Sequence, residues 1–287
     1  MSRQAYVNGR FVPHAHAVVH IEDRGYQLAD GVYEVWAVMG GKLSDAEGHF
    51  ARLERSLNEL RIAQPMSRKA LELVLKDTLR RNRVREGLVY LQVTRGVARR
   101  DHAFPTTPVE PAIVITAKAL DRAVSNAKAE AGVGVITLPE NRWGRCDIKT
   151  VGLLPNALAK QAAREQGAAE AWFIDGEGLV TEGASSNAWI LDRDGVLRTR
   201  DTGANILRGI TRSSLLQVIA EAGLTIEERA FTPAEALEAR EAFITGAGTL
   251  VTPVTSIDGK PVGNGHPGEM ALRLRDLYIQ HAQKTGI

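Results

Sequence analysis

Cysteine is almost missing from this sequence, and so is any clear sign of a metal site. One of the 287 residues, Cys146, is a cysteine, which excludes an intrachain disulfide framework and is typical of a reducing compartment. His14, His16 and His20 lie close together without carboxylate or cysteine companions, so no metal site is expected.

Charge of one sign and long apolar runs are also lacking. The 36 basic and 34 acidic residues give a formal net charge of +2, so nucleic acid is not expected as a partner. The N-terminal residues lack the apolar region of a signal peptide, and no uninterrupted apolar run approaches the length of a membrane span. We therefore expect a cytoplasmic protein that has no membrane partner.

The hydrophobic patterns that are present predict an α+β unit at the start of the chain. Turns with glycine at Asn8-Gly9 and Gly40-Gly41 lie between strand-like segments and predict two hairpins. Apolar residues at steps of three and four predict helices over Phe50 to Leu60 and Leu71 to Leu79. Further strand-like runs at 88–94 and 112–116 complete a sheet with helices on one face.

A change of composition predicts a second unit. Residues 121–132 are polar and small, as is typical of an interdomain linker, and divide the chain into domains at 1–120 and 133–287. The 44% of hydrophobic residues suffices for two such domains, and ligands usually bind in a cleft between domains. The second domain alternates strand-like runs with helices near 156–166, 211–222 and 268–283.

Two segments in the middle of the chain indicate the chemistry. They are Arg142-Trp-Gly-Arg-Cys-Asp-Ile-Lys149 and Val180-Thr-Glu-Gly-Ala-Ser-Ser-Asn187. A lysine and a carboxylate are the groups that pyridoxal phosphate most needs, one for its aldehyde and one for its pyridine nitrogen. Together the segments resemble the fold-type IV pyridoxal phosphate enzymes, and in particular the D-amino acid transaminases. The resemblance covers nearly the whole chain, from Tyr6 to the C-terminal helix.

This resemblance implies a fold, a cofactor and an assembly. The fold would combine α/β and α+β classes in a two-domain fold-type IV enzyme, with an N-terminal α+β sheet-and-helix domain and a C-terminal α/β pseudo-barrel domain. Pyridoxal 5'-phosphate (PLP) would lie between the domains. Family members assemble as homodimers, in which the partner's N-terminal domain helps to close the site.

Lys149 is the predicted catalytic residue. The resemblance makes it the lysine that forms a Schiff base with PLP and moves the proton from the substrate Cα. A catalytic lysine must be partly desolvated, so that its amine is neutral near pH 7. The alternation of Cys146-Asp-Ile-Lys149, followed by a helix that opens at Pro155-Asn156, predicts that the lysine ends a strand. Cys146 is expected to be an inert residue packed near it.

Glu182 is predicted to keep the pyridine nitrogen protonated, so that the ring accepts electrons from the substrate Cα. By itself the residue also fits a polar position in a hairpin. The resemblance places this element beside the cofactor, which makes Ser185 and Ser186 further candidates.

Three segments are candidates for the cofactor phosphate. Arg208-Gly-Ile-Thr-Arg212 precedes the helix expected from Ser213, whose free N–H groups favour an anion, although the same residues suit an ordinary N-cap. Thr245-Gly-Ala-Gly-Thr249 has small residues where better-known D-transaminases carry hydroxyl groups, which predicts main-chain donors. Arg52 matches the family's phosphate-contacting arginine. With Arg52, the predicted cofactor-binding residues here are Leu207, Ile210, Thr211, Ala247 and Gly248.

Tyr33 is a predicted substrate-binding residue. Strand alternation puts Tyr33 and Val35 on one face, and Glu34 and Trp36 on the other. The resemblance places Tyr33 near the substrate, whereas the pattern alone also permits a core tyrosine.

Arg100 and His102 are the other predicted substrate-binding residues. The α-carboxylate of an amino acid favours a bidentate arginine with a second donor beside it. Arg100 and His102, ahead of Phe104-Pro105, match the carboxylate-binding pair of the D-amino acid transaminases. Arg99 is an adjacent rival, and a solvated basic loop is the alternative interpretation.

The predicted reaction is transfer of an amino group between a D-amino acid, such as D-alanine, and a 2-oxo acid, such as 2-oxoglutarate or pyruvate, by a ping-pong mechanism. A branched-chain L-amino acid transaminase and an (R)-selective amine transaminase remain as alternatives, with an aminodeoxychorismate lyase behind them. A cofactor-binding protein without turnover would require loss of a reactive group, and Lys149 and Glu182 are both present.

Overall fold

Residues 3–203 and 205–287 are described by a computed structural model, and they divide into two units. The first unit contains the chain up to residue 121 together with 148–152 and 285–287, and the second contains the remainder.

A six-stranded antiparallel sheet forms the centre of the first unit, with strand order β2-β1-β6-β5-β3-β4. Its strands are β1 Gln4–Val7, β2 Arg10–Pro13, β3 Gly31–Met39, β4 Lys42–Leu43, β5 Gly87–Thr94 and β6 Ala112–Ala119. Its helices are α1 Arg24–Leu28, α2 Ala46–Glu59 and α3 Arg68–Asn82. Both predicted hairpins and both predicted helices are present.

The core of this unit lies where α2 and α3 pack against the sheet. Trp36 and Leu91 from the strands are fully buried with Leu57 and Leu75 from the helices. The stripe of leucines at steps of three and four therefore does what its spacing predicts, because one face of each helix is removed from water.

The segment 148–152 belongs to the first unit although the chain around it belongs to the second. Ile148 is buried in the core of the first unit, and Thr150 forms an isolated antiparallel bridge with Val32 of β3. The sequence-based division at 133–287 had placed this segment in the other domain. Burial of Ile148 and pairing of Thr150 with β3 therefore place the segment in the first unit, although its neighbours along the chain belong to the second.

Residues 121–132 differ from the predicted linker, because residues 122–131 form helix α4 (Arg122–Ala131) within the second unit. Alanine, which has the highest helix propensity, recurs through the segment, and Ala129 is buried. The small side chains of this segment therefore allow a helix to pack closely and do not mark an extended connection.

The second unit contains a nine-stranded mixed sheet with strand order β12-β11-β10-β13-β14-β7-β8-β9 and β15 on β14. The strands are β7 Val133–Pro139, β8 Glu170–Ile174, β9 Val180–Gly183, β10 Asn187–Leu191, β11 Leu197–Thr199, β12 Ile226–Glu228, β13 Glu241–Gly246, β14 Leu250–Ile257 and β15 Lys260–Pro261. The further helices are α5 Leu154–Glu165, α6 Ile210–Glu221, α7 Pro233–Glu238 and α8 Glu269–Thr285.

This sheet is curled. β9 lies at one end of the strand order and β10 lies near the other, yet only residues 184–186 connect them. The N–H group of Gly183 donates to the carbonyl of Ser186 at 2.7 Å, so the two ends of the sheet meet at this turn. The curl brings the motif at 180–187 to one point of the second unit.

Among the helices of the described chain, none combines the length and the hydropathy that a membrane span requires.

Candidate active site

Lys149 lies in the first unit, where two main-chain hydrogen bonds fix its segment. The N–H group of Tyr33 donates to the Lys149 carbonyl at 3.0 Å, and the N–H group of Val151 donates to the Gly31 carbonyl at 3.1 Å. Together these two bonds form the isolated antiparallel bridge between Val32 and Thr150. The predicted strand at 146–149 is wrong: Cys146 and Asp147 form a turn, which lets Ile148 enter the core and leaves Lys149 half-buried beside β3.

The Lys149 amine lies over the aromatic ring of Tyr33, with Nζ 4.2 Å from the ring centroid. Tyr33 stacks on Tyr90 at 5.7 Å, and burial with Tyr33 nearby raises the pKa of the Tyr90 phenol to about 12. Tyr33 is partly exposed, so it is not a core residue, and the structure brings it together with the predicted catalytic lysine. Glu34 and Trp36 point to the opposite, buried side of β3, as alternation predicts.

Arg52 forms a buried charge cluster with Glu34 and His49. Its Nε donates to Glu34 Oε1 at 2.7 Å, and its Nη2 donates to Oε2 at 2.8 Å. Burial alone would raise the pKa of Glu34, but Arg52 and His49 reverse this and lower it from 4.5 to about 2. Burial lowers the pKa of His49, so the ring is neutral and its Nδ1–H donates to Glu34 at 2.7 Å. The predicted phosphate ligand is therefore fixed by a carboxylate from β3.

Glu182 lies in the second unit and accepts hydrogen bonds from separate parts of the chain. Arg142 Nη1 donates to Oε1 at 2.5 Å, and the Leu207 N–H group donates to the same oxygen at 3.0 Å. The side-chain amide of Asn187 donates to Oε2 at 3.0 Å. Arg142 and Asn187 were not predicted as site residues. Arg142 is the first residue of the motif that contains Lys149, and Asn187 is the last residue of the motif that contains Glu182.

Arg142 also binds Glu140. Its Nε and Nη2 donate to the two carboxylate oxygens of Glu140 at 2.9 and 2.7 Å, and the hydroxyl of Thr181 donates to Glu140 at 2.8 Å. Burial raises the pKa of the nearby Cys146 thiol to about 11, so the thiol is neutral near pH 7.

The hydroxyl groups of Ser185 and Ser186 bind a buried carboxylate, that of Glu170. Both donate to Glu170 Oε2, at 2.7 and 3.0 Å, and Lys160 Nζ lies 3.4 Å from Oε1. Glu170 is 1% exposed and opens the apolar strand β8. In the sequence, this contact could have been predicted from Glu170 itself, a charged residue that begins an otherwise apolar strand. The two serines therefore brace the turn that follows Glu182.

Helix α6 presents the second candidate for the phosphate. It begins at Ile210, one residue before the range predicted near 211–222 and three before Ser213, so Ile210 and Thr211 supply N–H groups of its first turn, and no side chain caps it. A Cβ on the preceding residue, Gly209, would lie 1.9 Å from the Asn187 side-chain oxygen. Only glycine fits here, and the close approach fixes the helix end against Asn187 beside Glu182.

The turn from 247 to 249 joins β13 to β14 and lies next to the same asparagine, because Asn187 pairs with Thr245 in register. Ala247 and Gly248 are in this turn, as predicted. The Thr249 hydroxyl is buried and has no hydrogen-bond partner within residues 3–203 and 205–287. A buried hydroxyl without a partner beside small residues fits an anion such as a phosphate.

Arg100 and His102 are both exposed, on a loop of the first unit that is anchored at either side of them. The buried Arg24 donates to the Asp101 carbonyl at 2.7 Å, and the Arg95 guanidinium lies 3.7 Å from the centroid of the Phe104 ring. Arg24 and Arg95 are themselves fixed by one carboxylate, that of Asp30. Arg99 is equally exposed, so the choice between the two arginines stays a prediction.

The model of the amino-transferase class IV family matches residues 31–257. A D-alanine aminotransferase of Bacillus licheniformis is 43% identical over 284 residues, which cover 97% of this chain and 98% of that protein. A D-alanine aminotransferase of Staphylococcus aureus is 38% identical over 282 residues, which cover 98% and 99% of the two chains.

The solved structure of the branched-chain amino acid aminotransferase of Escherichia coli superposes with a TM-score of 0.89 at 23% identity, covering 98% of this chain and 95% of that one. This likeness confirms the predicted fold class. The match to the family model and the nearly full-length relatives confirm the family that the two motifs indicated. The chain therefore belongs to the class IV aminotransferases.

Proposed function

We propose that this aminotransferase moves an amino group between D-amino acids, such as D-alanine, and 2-oxo acids, such as 2-oxoglutarate or pyruvate. The observation that carries the proposal is the 43% identity over nearly the whole chain to a D-alanine aminotransferase. As a class IV aminotransferase, the chain uses PLP, which supplies an electron sink for the charge that develops at the substrate Cα.

Lys149 is proposed as the residue that would hold the cofactor aldehyde and would move the proton at the substrate Cα. Its half-buried position beside the Tyr33 ring supports this role, because a lysine that forms a Schiff base has to lie in a partly enclosed site rather than on the open surface. Tyr33 would then line the substrate side of the same group.

Glu182 is proposed to face the pyridine nitrogen. Its carboxylate accepts bonds from Asn187, Arg142 and the Leu207 main chain, which fix its direction. A fixed anion at that point favours the protonated ring nitrogen, and this is the form that accepts electrons.

The phosphate is proposed to bind main-chain groups of Ile210 and Thr211 and of the 247–248 turn. The uncapped start of α6 and the buried Thr249 hydroxyl support this assignment. Arg52 is the proposed ligand from the first unit, and its double bond to Glu34 would hold the guanidinium in one orientation. Ser185 and Ser186 donate to Glu170, and they would thereby hold the turn after Glu182 in place beside the cofactor.

Arg100 and His102 are proposed to bind the α-carboxylate of the substrate. Both side chains are exposed on an anchored loop, which gives the two donors a defined position. Within the described residues neither forms an ion pair, so a carboxylate from the substrate can bind them.

We also propose a homodimer in the cytoplasm. Large apolar side chains are exposed on each unit: Val18 and Ile21 on the first, and Trp143, Leu154 and Leu158 on the second. Exposed apolar side chains of this size are typical of surfaces that a partner subunit covers. The single cysteine supports a reducing compartment.

Paired enantiomers in a half-reaction test the proposal. The yellow, PLP-loaded enzyme is mixed with D-alanine, L-alanine and L-leucine, and loss of the cofactor absorbance is followed. D-alanine should react, whereas L-alanine and L-leucine should not. A preference for L-leucine would point instead to a branched-chain transaminase, an alternative kept open by solved structures of that activity with the same fold.

A further inference from the structure

We infer that Glu140 is a positioning residue that neutralises Arg142 and so leaves the ring-nitrogen site with a net negative charge. The inference rests on the proposed function, in which Glu182 faces the pyridine nitrogen of PLP. Glu140 acts through Arg142, and its role is to decide the sign of the charge that the nitrogen meets.

One guanidinium joins the two carboxylates. Arg142 reaches Glu182 with a single bond from Nη1 at 2.5 Å. It reaches Glu140 with two parallel bonds from Nε and Nη2 at 2.9 and 2.7 Å, and its backbone N–H donates to Glu140 at 3.0 Å. The paired, planar geometry gives Glu140 the stronger hold on the cation.

Arg142 and Glu140 are both ionised. Burial alone would lower the pKa of Arg142, but Glu140 and Glu182 raise it above its usual range. Burial alone would raise the pKa of Glu140, but the bonds from Arg142 lower it. Counted with the carboxylate of Glu182, the three side chains are two acids and one base, which leaves one formal negative charge.

The third charge matters because Arg142 and Glu182 alone sum to zero. A neutral pair gives little electrostatic preference for a protonated ring nitrogen, and the nearby guanidinium opposes that proton. The side chains of Arg142 and Glu182 are 8% and 7% exposed, and the Phe173 ring lies 4.6 Å from the guanidinium carbon, so water screens these charges weakly. Glu140 restores the excess of negative charge that a pyridinium requires.

Binding to the apo-enzyme measures this charge without turnover. The probes are PLP and its 1-deaza analogue, which keeps the aldehyde and the phosphate but has no ring nitrogen to protonate. The ratio of their dissociation constants reports the interaction at the nitrogen, because contributions from the phosphate and from Lys149 cancel. Glu140→Gln should lower the preference for PLP by on the order of tenfold or more, because one nearby negative charge is lost in a region that water screens weakly.

A double variant separates charge from structure. Glu140→Gln with Arg142→Gln removes one anion and one cation, so Glu182 again supplies one net negative charge. The preference for PLP should return towards the wild-type ratio, even if both probes bind more weakly. If Glu140 were only structural, the double variant would discriminate no better than the single one, and that result overturns the inference.

Two controls complete the experiment. Glu177→Gln changes the net charge of the chain by the same amount at an exposed turn of the β8–β9 hairpin and should leave the ratio unchanged. Glu182→Gln should abolish the preference. If it does not, the proposed role of Glu182 is wrong; if it does while Glu140→Gln keeps the wild-type ratio, only the inference about Glu140 is wrong.

Discussion

Replacing Glu34 by glutamine tests the buried charge cluster of the first unit. The side chain of Glu34 is fully buried and accepts bonds from Arg52 Nε and Nη2 and from His49. Glutamine keeps the shape but removes the charge, so the buried guanidinium loses its carboxylate partner. Breaking a buried pair from one side is strongly destabilising, because the remaining charge is poorly solvated.

The magnitude follows from the pKa of Glu34. Its fall from 4.5 to about 2 corresponds to about 3 kcal/mol of folding free energy, at 1.36 kcal/mol per pKa unit. The folded-state pKa is depressed, so this stabilisation is complete above about pH 4.5 and is lost as the pH falls towards 2. Glu34→Gln should therefore be about 3 kcal/mol less stable than wild type at pH 7, and the difference should shrink below pH 4.5.

Urea unfolding at pH 7, 5, 4 and 3.5 measures this difference. Glu47→Gln is the matched control on α2: Glu47 is 80% exposed and pairs with Arg68, so its loss should change the free energy of unfolding by about 0.5 kcal/mol or less. A Glu34→Gln protein as stable as wild type at pH 7 would refute the reasoning. A deficit that stays constant down to pH 3.5 would show that packing, and not charge, is responsible.

Three further predictions concern the site. Borohydride reduction and peptide mapping should place the pyridoxyl group on Lys149, and its recovery on another lysine would contradict the assignment. Arg100→Ala should raise the KM for D-alanine roughly tenfold or more with little effect on (R)-1-phenylethylamine, which has no carboxylate; Arg99→Ala is the comparison, and the larger effect identifies the ligand. Gly209→Ala forces a Cβ to 1.9 Å from the Asn187 oxygen and should destabilise the chain by about 1–3 kcal/mol and weaken PLP binding, whereas wild-type values in denaturation and cofactor titration would contradict the close packing.

Local patterns in the sequence predicted most of the elements. Hairpins at Asn8-Gly9 and Gly40-Gly41, the leucine stripes of α2 and α3, and the helix from Leu154 depend on turn chemistry and on the period of apolar residues. Each of these signals lies within a few residues of the element that it predicts. Family membership was equally accessible, because the motifs containing Lys149 and Glu182 are continuous in the chain.

Two local predictions failed where packing outweighed the pattern. Residues 121–132 looked like a linker, but alanines that seemed merely small allow α4 to pack with Ala129 buried. The alternation at 146–149 suggested a strand, but the gain from burying Ile148 in the core of the first unit favours a turn. Neither burial can be inferred from a short window of sequence.

The charge partners were decided only by the tertiary structure. A glutamate in a sequence is compatible with a solvated surface, an ion pair or a buried acceptor, and nothing local distinguishes Glu140, which pairs with Arg142, from Glu177, which is exposed. Asn187 meets Glu182, Leu207 and Gly209 because the sheet curls and α6 begins where it does. The sequence by itself thus determined which groups the chemistry needs, whereas their partners were set by contacts between residues far apart in the chain, which depend on how strands and helices pack.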